Sequence, residues 1–144
     1  MYKSFDGTLW FGTNKGLYLF EGTSSNIKPA EDIYDIELLK PYQVTAIENG
    51  EKSALWVGTK KGLLQIDNLK KKNTVLFKKS KNKNSIVSDI INDIDWDNHK
   101  KELWISTVDG ISKYSPKENV FSNIQVGPFA NSIIENDVTE ILIA

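Results

Sequence analysis

Three times in 144 residues this chain repeats a Leu/Trp segment that ends in Thr-x-x-Gly, and nothing else in it limits the fold as strongly. The first copy is Thr8-Leu9-Trp10-Phe11-Gly12-Thr13-Asn14-Lys15-Gly16-Leu17. The second is Ala54-Leu55-Trp56-Val57-Gly58-Thr59-Lys60-Lys61-Gly62-Leu63. The third is Glu102-Leu103-Trp104-Ile105-Ser106-Thr107-Val108-Asp109-Gly110-Ile111. The tryptophans Trp10, Trp56 and Trp104 are 46 and 48 residues apart. A second element recurs about a dozen residues before the later tryptophans, as Val44-Thr45-Ala46-Ile47 and Ile91-Asn92-Asp93-Ile94, and returns as Val138-Thr139-Glu140-Ile141. Its copies are each 47 residues apart.

A period of 40 to 50 residues built from short strands is the signature of β-propeller blades. The expected fold is all-β, with three four-stranded antiparallel blade repeats in an incomplete ring or a ring completed by oligomerisation. Residues 1–144 read as a single array, with repeats near 1–41, 42–88 and 89–135. Residues 136–144 read as the inner strand of a further blade. In each repeat, strand A is the Val-Thr-x-Ile element and strand B is Leu-Trp-x-Gly-Thr. Strand C follows and ends at Phe20, Ile66 and Tyr114. Strand D is expected at Thr74-Val75-Leu76-Phe77 and Val120-Phe121-Ser122-Asn123-Ile124, and near Ile33-Tyr34-Asp35-Ile36 in the first repeat. The front of the chain reads as lacking its own strand A. Gly16, Gly62 and Gly110 supply the positive φ that a tight hairpin needs. One indole per blade fills the wedge between adjacent sheets, so Trp10, Trp56 and Trp104 are all expected in the core. Gly12, Gly58 and Ser106 lie on the same strand face and let a neighbour approach closely.

Leu-Trp-x-Gly-Thr-x-x-Gly-Leu preceded by Val-Thr-x-Ile resembles the two-component regulator propeller repeat, found in sensor regions of bacterial hybrid two-component proteins of Bacteroides-like organisms. The segment from Asn84 to Ile94 is similar to the stretch before that family's inner strand. Ser106 for Gly and Ile111 for Leu are mild departures. The resemblance implies a ligand-sensing module in a signal-transduction protein, extracytoplasmic or periplasmic, with breakdown products of polysaccharides as ligands. No basic stretch followed by an apolar run opens the sequence, so no signal peptide is visible, and the chain as written reads as soluble.

Composition narrows the chemistry. A net charge of −1 provides no global field for nucleic acid or an anionic membrane, so neither is an expected partner. With no cysteine, disulfides, thiolate metal sites and cysteine nucleophiles are excluded. The single histidine, His99, and the lack of a G-x-S-x-G segment argue against hydrolase chemistry, so the chain is read as a non-enzyme. Asp95, Asp97 and His99 are read as a polar turn rather than a metal site. Asp89, Asp93, Asp95 and Asp97 fail the calcium-loop pattern, because its glycine position holds Ile94. No metal and no cofactor is expected. The lysines Lys70, Lys71, Lys72, Lys78, Lys79, Lys81 and Lys83 are read as guards on an outer edge strand.

Ligand-binding candidates come from the face where B–C turns and D–A segments meet. They are Asn14, Lys15, Lys60, Lys61 and Asp109 from the turns, and Tyr42, Ser85 and Asn131 from the D–A segments. Mixed amides, charges and an aromatic suit an oligosaccharide. Trp96 stands outside the repeat and is read as packing, with sugar stacking as the other role. The competing functions are a protein-interaction scaffold and a propeller lyase or hydrolase. Three blades cannot close a ring, so the chain is expected to be a homo-oligomer or part of a longer propeller chain.

Overall fold

The structure, a computed structural model, describes residues 2–3, 7–23, 25–30, 42–67, 74–125 and 137–144. Those residues form twelve strands in three four-stranded antiparallel sheets. The first sheet holds β1 (Tyr2–Lys3), β2 (Leu9–Thr13), β3 (Gly16–Phe20) and β4 (Lys28–Pro29), side by side in that order. The second holds β5 (Val44–Asn49), β6 (Ala54–Thr59), β7 (Gly62–Asp67) and β8 (Thr74–Phe77). The third holds β9 (Ile91–Asp97), β10 (Glu102–Thr107), β11 (Gly110–Ser115) and β12 (Val120–Ile124). Each is a meander, with sequential strands as neighbours, as short antiparallel connections favour.

The two faces of each sheet follow from period two. In the second sheet, Leu55 faces Ile66 and Val57 faces Leu64 across β6 and β7. All four are buried, and they pack on Trp10, Leu17 and Leu19 of the first sheet. Trp56 and Leu63 point the other way, into Ile91, Leu103, Ile105 and Tyr114 of the third. Phe77 and Tyr114 pack on that indole and Phe121 packs on both of them, with ring centroids 5.6 Å apart for Trp56 and Tyr114 and 4.5 Å for Tyr114 and Phe121. Such tilted aromatic pairs contribute about 0.5–1.5 kcal/mol beyond their buried area.

The small residue two places after each tryptophan sits where sheets come closest. A Cβ on Gly12 would lie 2.5 Å from Val44 Cγ1, and one on Gly58 would lie 2.8 Å from Ile91 Cγ2. Thus the first residue of each inner strand rests on the preceding sheet. The third sheet has Ser106 there, fully buried, its hydroxyl donating to the carbonyl of Asp93 at 3.3 Å. Val138 continues the pattern, its N–H donating to the carbonyl of Thr107 at 2.9 Å.

Three expectations need correction. The first sheet has an inner strand of its own, β1, which pairs Tyr2 with Trp10 and Lys3 with Leu9. Its fourth strand is Lys28–Pro29, paired with Tyr18 and Leu19. Ile33 to Ile36, where that strand was expected, lie outside the described residues. Trp104 is only half-buried, whereas Trp10 and Trp56 are inaccessible. The physical reason is position: Trp104 lies on the face of the third sheet turned away from the second, and no described sheet follows. The Lys113 ammonium sits 5.8 Å above its ring instead.

Candidate functional site

The β2–β3, β6–β7 and β10–β11 turns share one construction. The threonine hydroxyl donates to the carbonyl of the glycine three residues on, at 2.9 Å for Thr13, 2.7 Å for Thr59 and 2.8 Å for Thr107. The same oxygen accepts the N–H two residues on, from Lys15, Lys61 and Asp109. Gly16, Gly62 and Gly110 have φ of 129°, 126° and 133°, a region side chains rarely adopt. A Cβ on Gly110 would also lie 2.5 Å from the carbonyl oxygen of Ile124. The turns therefore present their two central residues on a rigid frame.

The segments entering β5 and β9 meet these turns. Lys60 N–H donates to the Gln43 carbonyl at 3.1 Å, and Gly62 N–H to the Asp89 carbonyl at 2.7 Å. The Lys61 ammonium lies 5.1 Å from the centre of the Tyr42 ring, within cation–π range. Lys60 Nζ donates to Asn92 Oδ1 at 3.1 Å. Asn92 Nδ2 in turn donates to Asp137 Oδ1 at 2.9 Å and to the Val138 carbonyl at 2.8 Å. A polar series thus runs from the second sheet across the third to the C-terminal segment. Asp109 lies further along the same end, 3.9 Å from Lys79 Nζ, with both side chains about half exposed.

Of the residues expected to form the site, Tyr42, Lys60 and Lys61 come together, and Asp109 shares their end of the sheets. Asn14 and Lys15 are exposed on the turn of the first sheet. Ser85 is buried, its hydroxyl donating to the Asn82 carbonyl at 2.9 Å and accepting from the Ser80 N–H at 3.1 Å. It closes the 80–85 loop rather than facing a ligand. Asn131 lies outside the described residues, as do Lys70, Lys71 and Lys72 of the lysine run. Asn92 was missed. Its signal was an amide where the other two inner-strand elements carry Thr45 and Thr139.

The opposite end of the sheets holds a second concavity. A cleft of about 450 Å³ between the second and third sheets is lined by Trp96, Lys52, Lys101 and Lys117, with Trp56 and Gln65 among the other residues. Trp96 is half-buried and packs on the second core cluster while lining this cleft.

Acidic groups sit along the inner strands. Asp93 Oδ2 accepts the Ile141 N–H at 3.1 Å, and Asp95 Oδ2 accepts that of Ile143 at 2.6 Å. Burial raises the Glu48 pKa above its ordinary value, and repulsion from Asp95 and Asp93 adds to the rise, against the Asn49 N–H bond that lowers it. Asp97 is held below the usual range by the N–H groups of Lys100 and His99, donated at 3.0 and 2.9 Å. His99 itself is exposed on this turn. Among the described residues, no three carboxylate or imidazole groups are placed to hold a metal ion. No helix among them is long and apolar enough to cross a membrane.

No family model and no curated protein matches the sequence. Solved structures do match. The extracellular domain of BT3049 from B. thetaiotaomicron, assigned to a hybrid two-component system, aligns over 86% of this chain with a TM-score of 0.66 and 21% identity. The extracellular domain of BT4673 from the same organism, assigned to a one-component system, aligns over 95% with a TM-score of 0.72 and 14% identity. The chain spans 16% and 18% of those two structures. A hemopexin-fold protein, CP4 from cow pea, aligns over 84% of this chain and 63% of its own, with a TM-score of 0.52 and 11% identity. At such identities the likeness is one of fold. The first two neighbours agree with the sensor-repeat resemblance that the sequence carries.

Proposed function

We propose that this chain is the ligand-sensing part of an extracytoplasmic signal-transduction protein, its three sheets acting as consecutive blades of a β-propeller. The fold likeness to extracellular domains of bacterial signalling systems supports the sensor reading and the compartment. The observation that carries the site is the series Lys60–Asn92–Asp137, set beside the Lys61–Tyr42 pair where the turns converge. Donors, acceptors and an aromatic face held at fixed positions suit a hydroxyl-rich ligand such as a polysaccharide-derived oligosaccharide. The module binds its ligand without transforming it.

Isothermal titration of the chain against a panel of oligosaccharides tests this. At least one should bind, and Asn92→Ala and Tyr42→Ala should each weaken it about tenfold or more, the loss of one to two polar or stacking contacts. A Trp96→Ala variant separates the two ends of the sheets. If it alone abolishes binding, the ligand sits in the 450 Å³ cleft and the turn-face site is wrong.

A further inference from the structure

The cleft of about 450 Å³ between the second and third sheets lies at the end away from the B–C turns, and the sensing reading makes no use of it. Its floor follows from strand register. Trp56 and Gln65 are directly opposed across β6 and β7, so both side chains leave the second sheet on the face turned to the third. On the third sheet, Trp96 is opposed to Leu103 and lies two residues after Ile94, which puts it on the face turned to the second. Trp56 is fully buried and Trp96 half-buried, so one indole closes the floor and the other is partly open to solvent. The indole N–H of Trp56 has no acceptor among the described residues. Its edge lies against Gly50, where a Cβ would clash with the nitrogen. A buried donor without a partner is costly, so this floor favours an acceptor over bare hydrocarbon.

Cations surround the floor. Lys52 comes from the β5–β6 turn, Lys101 from the β9–β10 turn and Lys117 from the turn between β11 and β12. Glu51 is the one carboxylate among the lining residues, so three lysines against one acid leave a local excess of two positive charges. The whole chain carries −1, so this excess runs against its overall balance. The ion pairs among the described residues, Lys79 with Asp109 and Lys113 with Glu102, involve none of the three. Lys101 Nζ donates to the neutral amide of Asn98, at 2.8 Å. Lys52 and Lys101 also have φ of 59° and 57°, a left-handed region that their own Cβ disfavours. The first sheet has Gly7, φ 86°, where the third has Lys101, each two residues before the leucine of Leu-Trp. The third sheet therefore keeps an ammonium group at a position that glycine fills more easily.

We infer that this cleft is a binding site for a small molecule in which a flat ring carries a carboxylate. The ring lies on the Trp96 indole, and the ammonium groups of Lys52, Lys101 and Lys117 meet the carboxylate. The Gln65 amide and the Trp56 N–H serve polar groups on the ring. An uncharged ring would leave the three lysines unanswered, and a small inorganic anion would leave the indole uncovered. The cations converge on one cleft instead of tracking a groove, which disfavours a nucleic-acid strand. The volume falls within the roughly 300–1,000 Å³ of small-molecule sites. A sugar acid and an aromatic acid share this chemistry, and the choice of probe separates them. The site uses no residue of the turn face, so it stands or falls apart from the sensing reading.

Calorimetric titration of the chain with three probes tests this: a disaccharide ending in glucuronic acid, its uncharged glucose counterpart, and 4-hydroxybenzoate. At least one of the two acids should bind with millimolar affinity or better, at least about tenfold more tightly than the neutral sugar, and its identity names the source. Salt at about 0.5 M should weaken that binding, since exposed charges are screened. Lys52→Gln, Lys101→Gln and Lys117→Gln should each weaken it about two- to fivefold, and the three together about tenfold or more. Trp96→Ala should also lose about tenfold, and Trp96→Phe, which keeps a flat face for packing and stacking, should recover most of it. Lys28→Gln, on the first sheet, should change nothing. The inference is overturned if neither acid binds at about 10 mM or if the neutral sugar binds as tightly as the acids. It is equally overturned if the triple lysine variant, with a cooperative melt, keeps wild-type affinity. Loss of the acid on Asn92→Ala in place of the lysine variants would move the site to the turn face and overturn it too.

Discussion

Asp97 shows how one carboxylate shapes a turn. It accepts the N–H groups of His99 and Lys100, and its carbonyl accepts that of Lys101. These bonds favour the charged form, so its pKa falls below 3.8 on folding. A lowered carboxyl pKa adds stability above the unfolded value, and that stability is lost as pH falls through the folded one. Glu48 has the opposite sign, because burial lifts it above 4.5. Its contribution is greatest at low pH and is lost as pH rises through the raised value. Asp97→Asn should therefore lower stability at pH 7 and flatten the acid limb, while Glu48→Gln should raise stability at pH 7. Urea melts between pH 3 and 7 check both directions. The sequence marked Asp97 as a turn residue but gave no hint of Glu48, whose environment depends on Asp93 and Asp95 of another sheet.

At the scale of the element, the B–C turn was the most legible piece of the chain. Thr-x-x-Gly is a local pattern, and its hydrogen bonds close within four residues. Thr59→Val keeps the strand shape but removes the donor to the Gly62 carbonyl and the acceptor for the Lys61 N–H. It should cost about 1–3 kcal/mol, because the buried Gly62 carbonyl loses its donor and the Lys61 N–H its acceptor. Hydrogen exchange at Lys61 should quicken more than at β6 residues. The 80–88 loop was less legible. Asn84 accepts the Phe121 N–H, Asn123 donates to the Ser85 carbonyl, and Ser112 accepts the Val87 N–H. Those partners are 25 to 38 residues away, so no local pattern could mark Ser85 as buried.

For the whole molecule, repetition made the number and type of sheets readable, but it also misled. Identical motifs imply identical environments, and Trp104 departs because it occupies the last described sheet. Trp56→Ala should cost about 3–5 kcal/mol, as emptying a filled core site does. Trp104→Ala should cost well under that, about 1–2 kcal/mol, since less apolar area leaves water there on folding. Urea melts at low protein concentration, where chain association does not contribute, measure the difference. The candidate site was half readable. Tyr42, Lys60 and Lys61 came from counting turns, while Asn92 and the Trp96 cleft depend on how neighbouring sheets lean together.

The threonine–glycine clamp has one more consequence. The bonds that close each turn on itself run between the main chain and the hydroxyl of Thr13, Thr59 or Thr107, and the side chains at the tips take no part in them. Asn14, Lys15, Lys60, Lys61, Val108 and Asp109 are thereby freed from any duty of holding their own loops. On the proposed sensing role, substitution there retunes what the turns offer a ligand while the clamp that shapes them is untouched, so that selectivity and foldability are set by separate letters of the same short motif.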